Sequence, residues 1–395
     1  MNYNKGVGCP CKAIRPRIKI GGFERLRKKY IMALLCVTIG AGLMAGCGKA
    51  ETVDSSVALV TSTPTPTTPT DTPSETPTAT PEATPTEAEE PENTLSDGQM
   101  YSYLTGEPVD AATGSRRPIA IMINNLQPAV PQSGINQADL LYEIEVEGNI
   151  TRLMAVFQDP SNIGKIGPVR SARPYFVYFS MDNKAIYSHY GWSQQAQDLI
   201  TSQNMEDING MTAGGFYRSE DRKAPHNVYV AGSSLVSDAD SLGYDRAYPD
   251  GYTSNLAFNT ADTDISGDVA NTVHIPFKYD DPYFVFHSED RQYYRYEYGS
   301  EHVDQETGEQ LKFKNIIVQY VSQWHLDDNV HLDMNLFTSR TGVYFTDGKA
   351  MPITWEKSDQ NDQTEYFDSN GNKICLNPGR TMFEICSDTN AASWS

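Results

Sequence analysis

Beyond its first 46 residues this chain is short of positive charge. The leader holds nine Lys/Arg against the single acid Glu24; taking these from 31 basic and 51 acidic residues leaves 22 against 50, a net charge of −28. General nucleic-acid binding needs cations that displace counterions, so this balance argues against it and favours repulsion from anionic surfaces. Cysteine is scarce as well, at positions 9, 11, 36, 47, 375 and 386. Only Cys375 and Cys386 fall where the chain is patterned to fold, which excludes a disulfide-stapled scaffold. Cys9 and Cys11 have no second pair nearby, so no zinc pattern forms and no metal or cofactor is expected. No G-x-S-x-G, H-E-x-x-H or Walker loop occurs, and no catalytic residue is assigned.

The chain is instead rich in addressing signals. Arg25, Arg27, Lys28 and Lys29 precede an apolar run from 30 to 44 and then Ala45-Gly46-Cys47. That is the basic, apolar, small-residue order of a secretory signal peptide. The run is about fifteen residues, short of the ~20 that a spanning helix needs. Leu43-Met44-Ala45-Gly46-Cys47 resembles a bacterial lipobox, with Met where Leu is commonest. The resemblance implies that Cys47 becomes the mature N-terminus and carries diacylglyceryl and palmitate, placing the protein on the extracytoplasmic face of the cell membrane. Residues 51–94 are Thr, Pro, Glu, Ala and Ser with nine acids and no Lys or Arg. Such a composition cannot bury enough apolar surface to offset its ordering entropy, and it reads as a disordered tether.

The chain therefore divides into a signal peptide with an N-terminal extension (1–46), a lipidated cysteine and tether (47–95), an N-terminal α+β domain (96–245), a connector (246–270) and a C-terminal β-rich domain (271–395). The expected fold class is α+β, a mixed α/β N-terminal domain followed by a mostly antiparallel β C-terminal domain. In the first domain, 118–123 reads as a buried strand. Leu140, Tyr142, Ile144 and Val146 alternate with Leu141, Glu143, Glu145 and Glu147, the period of a half-buried strand. A two-residue Gly148-Asn149 turn would then return the chain and set Glu145 opposite Arg152. The three glutamates admit a metal or acid/base site, a solvated face with one ion pair, or a link to the arginines below.

Those arginines lie in the stretch 166–179, I-G-P-V-R-S-A-R-P-Y-F-V-Y-F. Arg173 precedes Pro174, so it should be extended and sit at a helix mouth. A cation there is misplaced unless an anion or a carboxylate faces it. A strand at 185–190 ends in His189, and Ser193 is a plausible N-cap for the helix after it. A loop cluster, 216–227, carries Arg218, Arg222, Lys223, His226 and Asn227. Residues 165–226 hold seven Lys/Arg and six Asp/Glu, whereas the rest of 95–395 holds fourteen against thirty-five. Cations gathered on loops of an acidic protein mark a candidate site. Arg170, Arg173, His189, Arg222, His226 and Asn227 are its expected ligand-binding residues.

At this point the chain resembles a known family, the YerB-like bacterial lipoproteins. The resemblance rests on R-P-I-A-I-M-I-N-N at 117–125, P-Q-S-G-I-N-Q-A-D-L-L-Y-E at 131–143, E-G-N-I-T-R at 147–152, I-G-P-V-R-S-A-R-P-Y-F at 166–176 and R-K-A-P-H-N at 222–227. T-G-E at 307–309 and L-N-P-G-R-T at 376–381 extend it, so that it covers about 100–386. It implies a tethered lipoprotein with N- and C-terminal domains and leaves the activity open, the family being a domain of unknown function. Where the family often has small residues after the histidine strand, this chain has Tyr190 and Trp192.

After 270, aromatic runs at 283–286 and 293–298, an apolar strand at 315–321 and frequent turns point to antiparallel sheet. His287, His302, His325 and His331 lack metal-like spacing and read as surface or strand residues. With Pro378-Gly379 as a hairpin turn, Cys375 pairs with Met382 and lies ~13 Å along the strands from Cys386, beyond the ~7 Å of a disulfide. The expected function is a binding or scaffold module that recognises an anionic envelope component or a membrane-protein partner. The alternatives are an envelope hydrolase or transferase with His189 or His226 as base, and a solute-binding lipoprotein.

Overall fold

A computed structural model describes residues 95–326 and 330–395. The leader, Cys47 and the Pro/Thr-rich tether lie outside the described residues. The fold is α+β, with helices and mixed strands in the N-terminal region and mostly antiparallel strands after residue 268.

One eleven-stranded sheet runs through both regions. Its N-terminal part is Leu140–Glu145, Thr151–Phe157, Ile119–Asn124, Ile186–His189 and Asp207–Asn209, in that spatial order. Its C-terminal part includes Lys349–Glu356, Ser339–Thr346, Asn315–Val321 and Thr381–Ser387. The seam is the parallel pairing of Thr381–Ser387 with Leu140–Glu145. Ile119, Ile121 and Ile123 join one buried cluster and Ala120 and Met122 the other, so both faces of the sheet are covered. Helices Pro174–Asp182 and Gln194–Ser202 pack on one face through Phe176, Phe179, Ala196 and Leu199. On the other lie helix Gly232–Ser241 and a six-stranded sheet contributing Phe284, Tyr293 and Phe313. In that second sheet the aromatics pair across strands, as Tyr283 does on Tyr296 with ring centroids 4.6 Å apart.

Three local expectations change. The turn after Leu140–Glu145 has three residues, with Gly148 and Asn149 at positive φ, and Val146 N–H donates to Ile150 O at 2.7 Å. The extra residue moves the register by one, so Ile144 faces Arg152 and Glu145 faces Thr151. The strand is also covered on both sides, and Glu143 is fully buried instead of lying on a solvated face. Lastly, Cys375 and Cys386 are not disulfide-bonded, as expected, but for another reason. Thr381–Ser387 is a central parallel strand, not the return arm of a hairpin at Pro378-Gly379.

The seam carries a buried polar centre. Glu384 is the register partner of Glu143, and both are fully buried. Arg295, equally buried, reaches over from the second sheet to pair with Glu143 and with Glu297, the latter at 2.9 Å. His302 is buried here too, contrary to its reading as an ordinary surface or strand residue. Its Nδ1 accepts from Arg295 and its Nε2 donates to Gln132 Oε1 at 2.7 Å. Burial and the Arg295 charge hold it well below the usual histidine range, so the ring is neutral. Asp280 Oδ2 accepts from Thr151 Oγ1 at 2.8 Å and Asn125 Nδ2 at 3.0 Å. Burial, then Glu143, push Asp280 up to about 9 and raise Glu384 far above the carboxylate range. Asp280 therefore holds its proton at neutral pH, and Glu384 is shifted in the same direction, which lessens the like-charge repulsion around Glu143.

Candidate functional site

Arg170 is fixed by backbone on two sides. Its N–H donates to Met122 O at 3.0 Å, and Val169 N–H donates to Val228 O at 2.7 Å. The approach needs glycine at 167: its φ is 142° and a Cβ would lie 2.7 Å from Val228 O. Three residues on, Arg173 is the extended N-cap of helix Pro174–Asp182 with Pro174 at its first position, as the sequence implies. Ser193 caps the next helix by accepting from Ala196 N–H.

The six expected site residues meet different fates. Arg173 is held by Glu147 through a two-pronged pair, Nη2 donating at 2.9 Å and Nε beside it. Burial alone would raise Glu147, but Arg173 and then Arg152 bring it below its ordinary value. Arg222 donates to Pro131 O at 2.6 Å, Ala129 O at 2.5 Å and Tyr229 Oη at 3.1 Å, so it staples the 129–131 loop. Asn227 accepts from Arg218 Nη1 at 2.8 Å and donates to Ser219 O at 2.9 Å, closing its own turn. His189 is fully buried, Nδ1 at 2.9 Å from Gly191 O and Nε2 at 3.1 Å from Asp207 Oδ2. His226 Nδ1 accepts from Asn124 Nδ2 at 2.8 Å, and burial with the charges of Arg170 and Arg222 lowers its pKa. Arg170 differs from all of these. Its guanidinium has no hydrogen-bond or ion-pair partner among the described residues, and its Nε is buried without one.

Arg170 lines a cavity of about 480 Å³ with Ser171, Tyr190, Trp192, Met211 and Arg218. Arg218 lies over the Tyr190 ring, 5.3 Å from its centroid. Of the six residues named from sequence, Arg170 alone lines this cavity; Arg218, Tyr190 and Trp192 were not among them. Arg218 stood in the cationic loop cluster, but nothing in its spacing set it apart from Arg222. Trp192 also lines a neighbouring cavity of about 600 Å³, together with Gln197, Asp207, Asn209, Asp238 and Tyr244. Ser171 Oγ donates to Tyr190 O at 3.1 Å and not to a histidine. Among the described residues no group of three or more His, Cys, Asp or Glu is arranged to hold a metal ion.

Residues 104–245 match the family described as "Protein of unknown function (DUF3048) N-terminal domain", and residues 273–383 match its C-terminal domain. A protein of Bacillus subtilis (strain 168) named "Putative lipoprotein YerB" is 31% identical over 298 residues, covering 74% of this chain and 88% of that protein. The crystal structure of the YerB protein from Bacillus subtilis has a TM-score of 0.68 to this fold at 29% identity, covering 75% of this chain and 99% of that one.

Proposed function

We propose that this chain, which belongs to the DUF3048 family, is a lipoprotein anchored through Cys47 that binds an anionic group at Arg170. The observation that carries the reading is the isolation of Arg170. Its Nε is buried without a hydrogen bond, and burial and then Arg173 lower its pKa against the weaker pull of Glu147, so the cation gains from an added anion. Arg152, Arg173, Arg218 and Arg222 each hold an oxygen of the protein, while Arg170 opens into a cavity. Arg218 borders the same space, so an incoming carboxylate or phosphate meets two cations and no acidic side chain among the residues lining it. The cavity volume falls in the ~300–1,000 Å³ range of small-molecule sites. Neither the anion-binding role nor a scaffold role needs a nucleophile, in keeping with the hydrogen bonding of Ser171.

The test is calorimetric titration of the detergent-solubilised full chain with inorganic phosphate and citrate. Binding is expected, weakening as salt is raised, and Arg170→Ala abolishes it while Arg222→Lys has a smaller effect. Equal binding by the wild type and Arg170→Ala would remove this site from consideration. For the anchor, metabolic fatty-acid label is expected in the membrane fraction of the wild type and absent from Cys47→Ala.

A further inference from the structure

The second cavity says what else the ligand carries. It adjoins the arginine cavity at Trp192, which lines both, and its lining contains no Lys or Arg. Two carboxylates, Asp207 and Asp238, would repel any further anionic group there. Asn209 is only 8% exposed; its Oδ1 accepts from Met211 N–H at 3.0 Å, and its Nδ2 has no partner among the described residues. Asp238 Oδ2 is buried without a hydrogen bond among the described residues, with the Gly215 backbone beside its carboxylate. Asp207 commits Oδ2 to His189, leaving Oδ1 available. Gln197 adds an amide with no hydrogen bond to the protein, and the Trp192 indole N–H is likewise unpartnered among the described residues.

This is a wall of interleaved donors and acceptors beside a half-exposed indole ring. Hydroxyl groups, each both donor and acceptor, satisfy such a set, whereas a purely cationic ligand would leave the Asn209 and Trp192 N–H groups unmet. A flat ring with an apolar face stacks on an indole, as the C–H face of a pyranose does. Resting on the anion-binding reading above, we propose that the ligand is a saccharide bearing one anionic substituent. Its carboxylate or phosphate lies at Arg170 and Arg218, and its neutral, hydroxyl-rich part crosses Trp192 to Asp207, Asn209 and Asp238.

The experiment measures binding of five probes to the full chain in detergent by saturation-transfer NMR and calorimetry. They are inorganic phosphate, tri-N-acetylglucosamine, a disaccharide of N-acetylglucosamine and one glucuronic acid, glucose 6-phosphate, and acetyl-tetraglutamate. At least one anionic saccharide is expected to bind about 10-fold or more tighter than phosphate or the neutral trimer, a factor worth about 1.4 kcal/mol. Which of the two does so separates carboxylate from phosphate sources. Gln197→Ala, at a residue that lines the second cavity and not the arginine cavity, is expected to reduce that gain while leaving phosphate affinity unchanged. Gly214→Leu adds bulk at the lining of the same cavity without deleting a contact, since a Cβ at Gly214 meets no atom within 4 Å. It should reproduce the Gln197→Ala result. Phosphate binding with no saccharide preference, or acetyl-tetraglutamate binding as tightly as the saccharides, overturns the saccharide proposal and leaves the anion site standing. Loss of binding to every anionic probe overturns both.

Discussion

Arg170 and Arg173 are the same residue type three positions apart, yet the fold gives them opposite tasks. Arg173 is spent on Glu147, with side chains 12% and 16% exposed, and so behaves as an internal ion pair. Arg173→Ala is expected to cost about 1–3 kcal/mol in urea unfolding, below the ~3–5 of a fully buried pair because solvent screens part of it. Arg170→Ala removes no side-chain hydrogen bond or ion pair among the described residues and is expected to stay within ~0.5 kcal/mol of wild type. Comparable losses for the two variants would contradict the assignment of Arg170 to a ligand. The Cys386 thiol is buried and its pKa raised by that burial, then by nearby carboxylates. It should react with iodoacetamide only as fast as the protein unfolds.

At the scale of elements, the seam between Leu140–Glu145 and Thr381–Ser387 is set by protonation as much as by packing. Asp280, Glu384 and Glu297 have pKa values raised in the fold, so the folded state binds protons that the unfolded chain has released. Their contribution is complete below the unfolded carboxylate value and is lost as pH climbs towards the folded one, about 9 for Asp280. His302 runs the other way, but only below its unfolded value of 6.5, where the unfolded chain takes up a proton that the buried ring refuses. Between pH 6.5 and 8.5 Asp280 therefore prevails, and from that group stability falls with pH by at most about 1.4 kcal/mol per unit. Asp280→Asn keeps the shape and removes one such proton. A wild-type unfolding free energy that is flat across this interval, or a slope unchanged in Asp280→Asn, would contradict the protonated seam.

For the molecule as a whole, the same seam predicts that the two sequence regions fold together. Without residues 246–395, Leu140–Glu145 loses its neighbour Thr381–Ser387, leaving an apolar strand edge open to aggregation. Glu143 also loses Arg295, and a carboxylate stripped of its buried partner costs several kcal/mol. Residues 95–245 expressed alone are expected to be aggregated or to lack cooperative unfolding, and 95–395 to unfold in one transition by calorimetry. A well-dispersed NMR spectrum from 95–245 would show that the seam is an association of independent units.

What the sequence determined is local. Pro174 after Arg173, Ser193 before a helix, the apolar run at 118–123 and the aromatic alternation after 283 each specify geometry within a few residues, and each element formed as those residues dictate. The fold class and the family followed from such pieces. The tertiary structure decided everything that depends on a distant partner. Glu143 alternates like a solvent-facing residue, and only a sheet packed over it, with Arg295 152 positions away, turns it inward. Cations on three segments pointed to the region of the site, but charge counting cannot separate an arginine that meets Glu147 or a loop carbonyl from one that meets nothing. That difference is a matter of a few ångströms between segments far apart in sequence, and it makes Arg170, not Arg173 or Arg222, the residue facing the cavity.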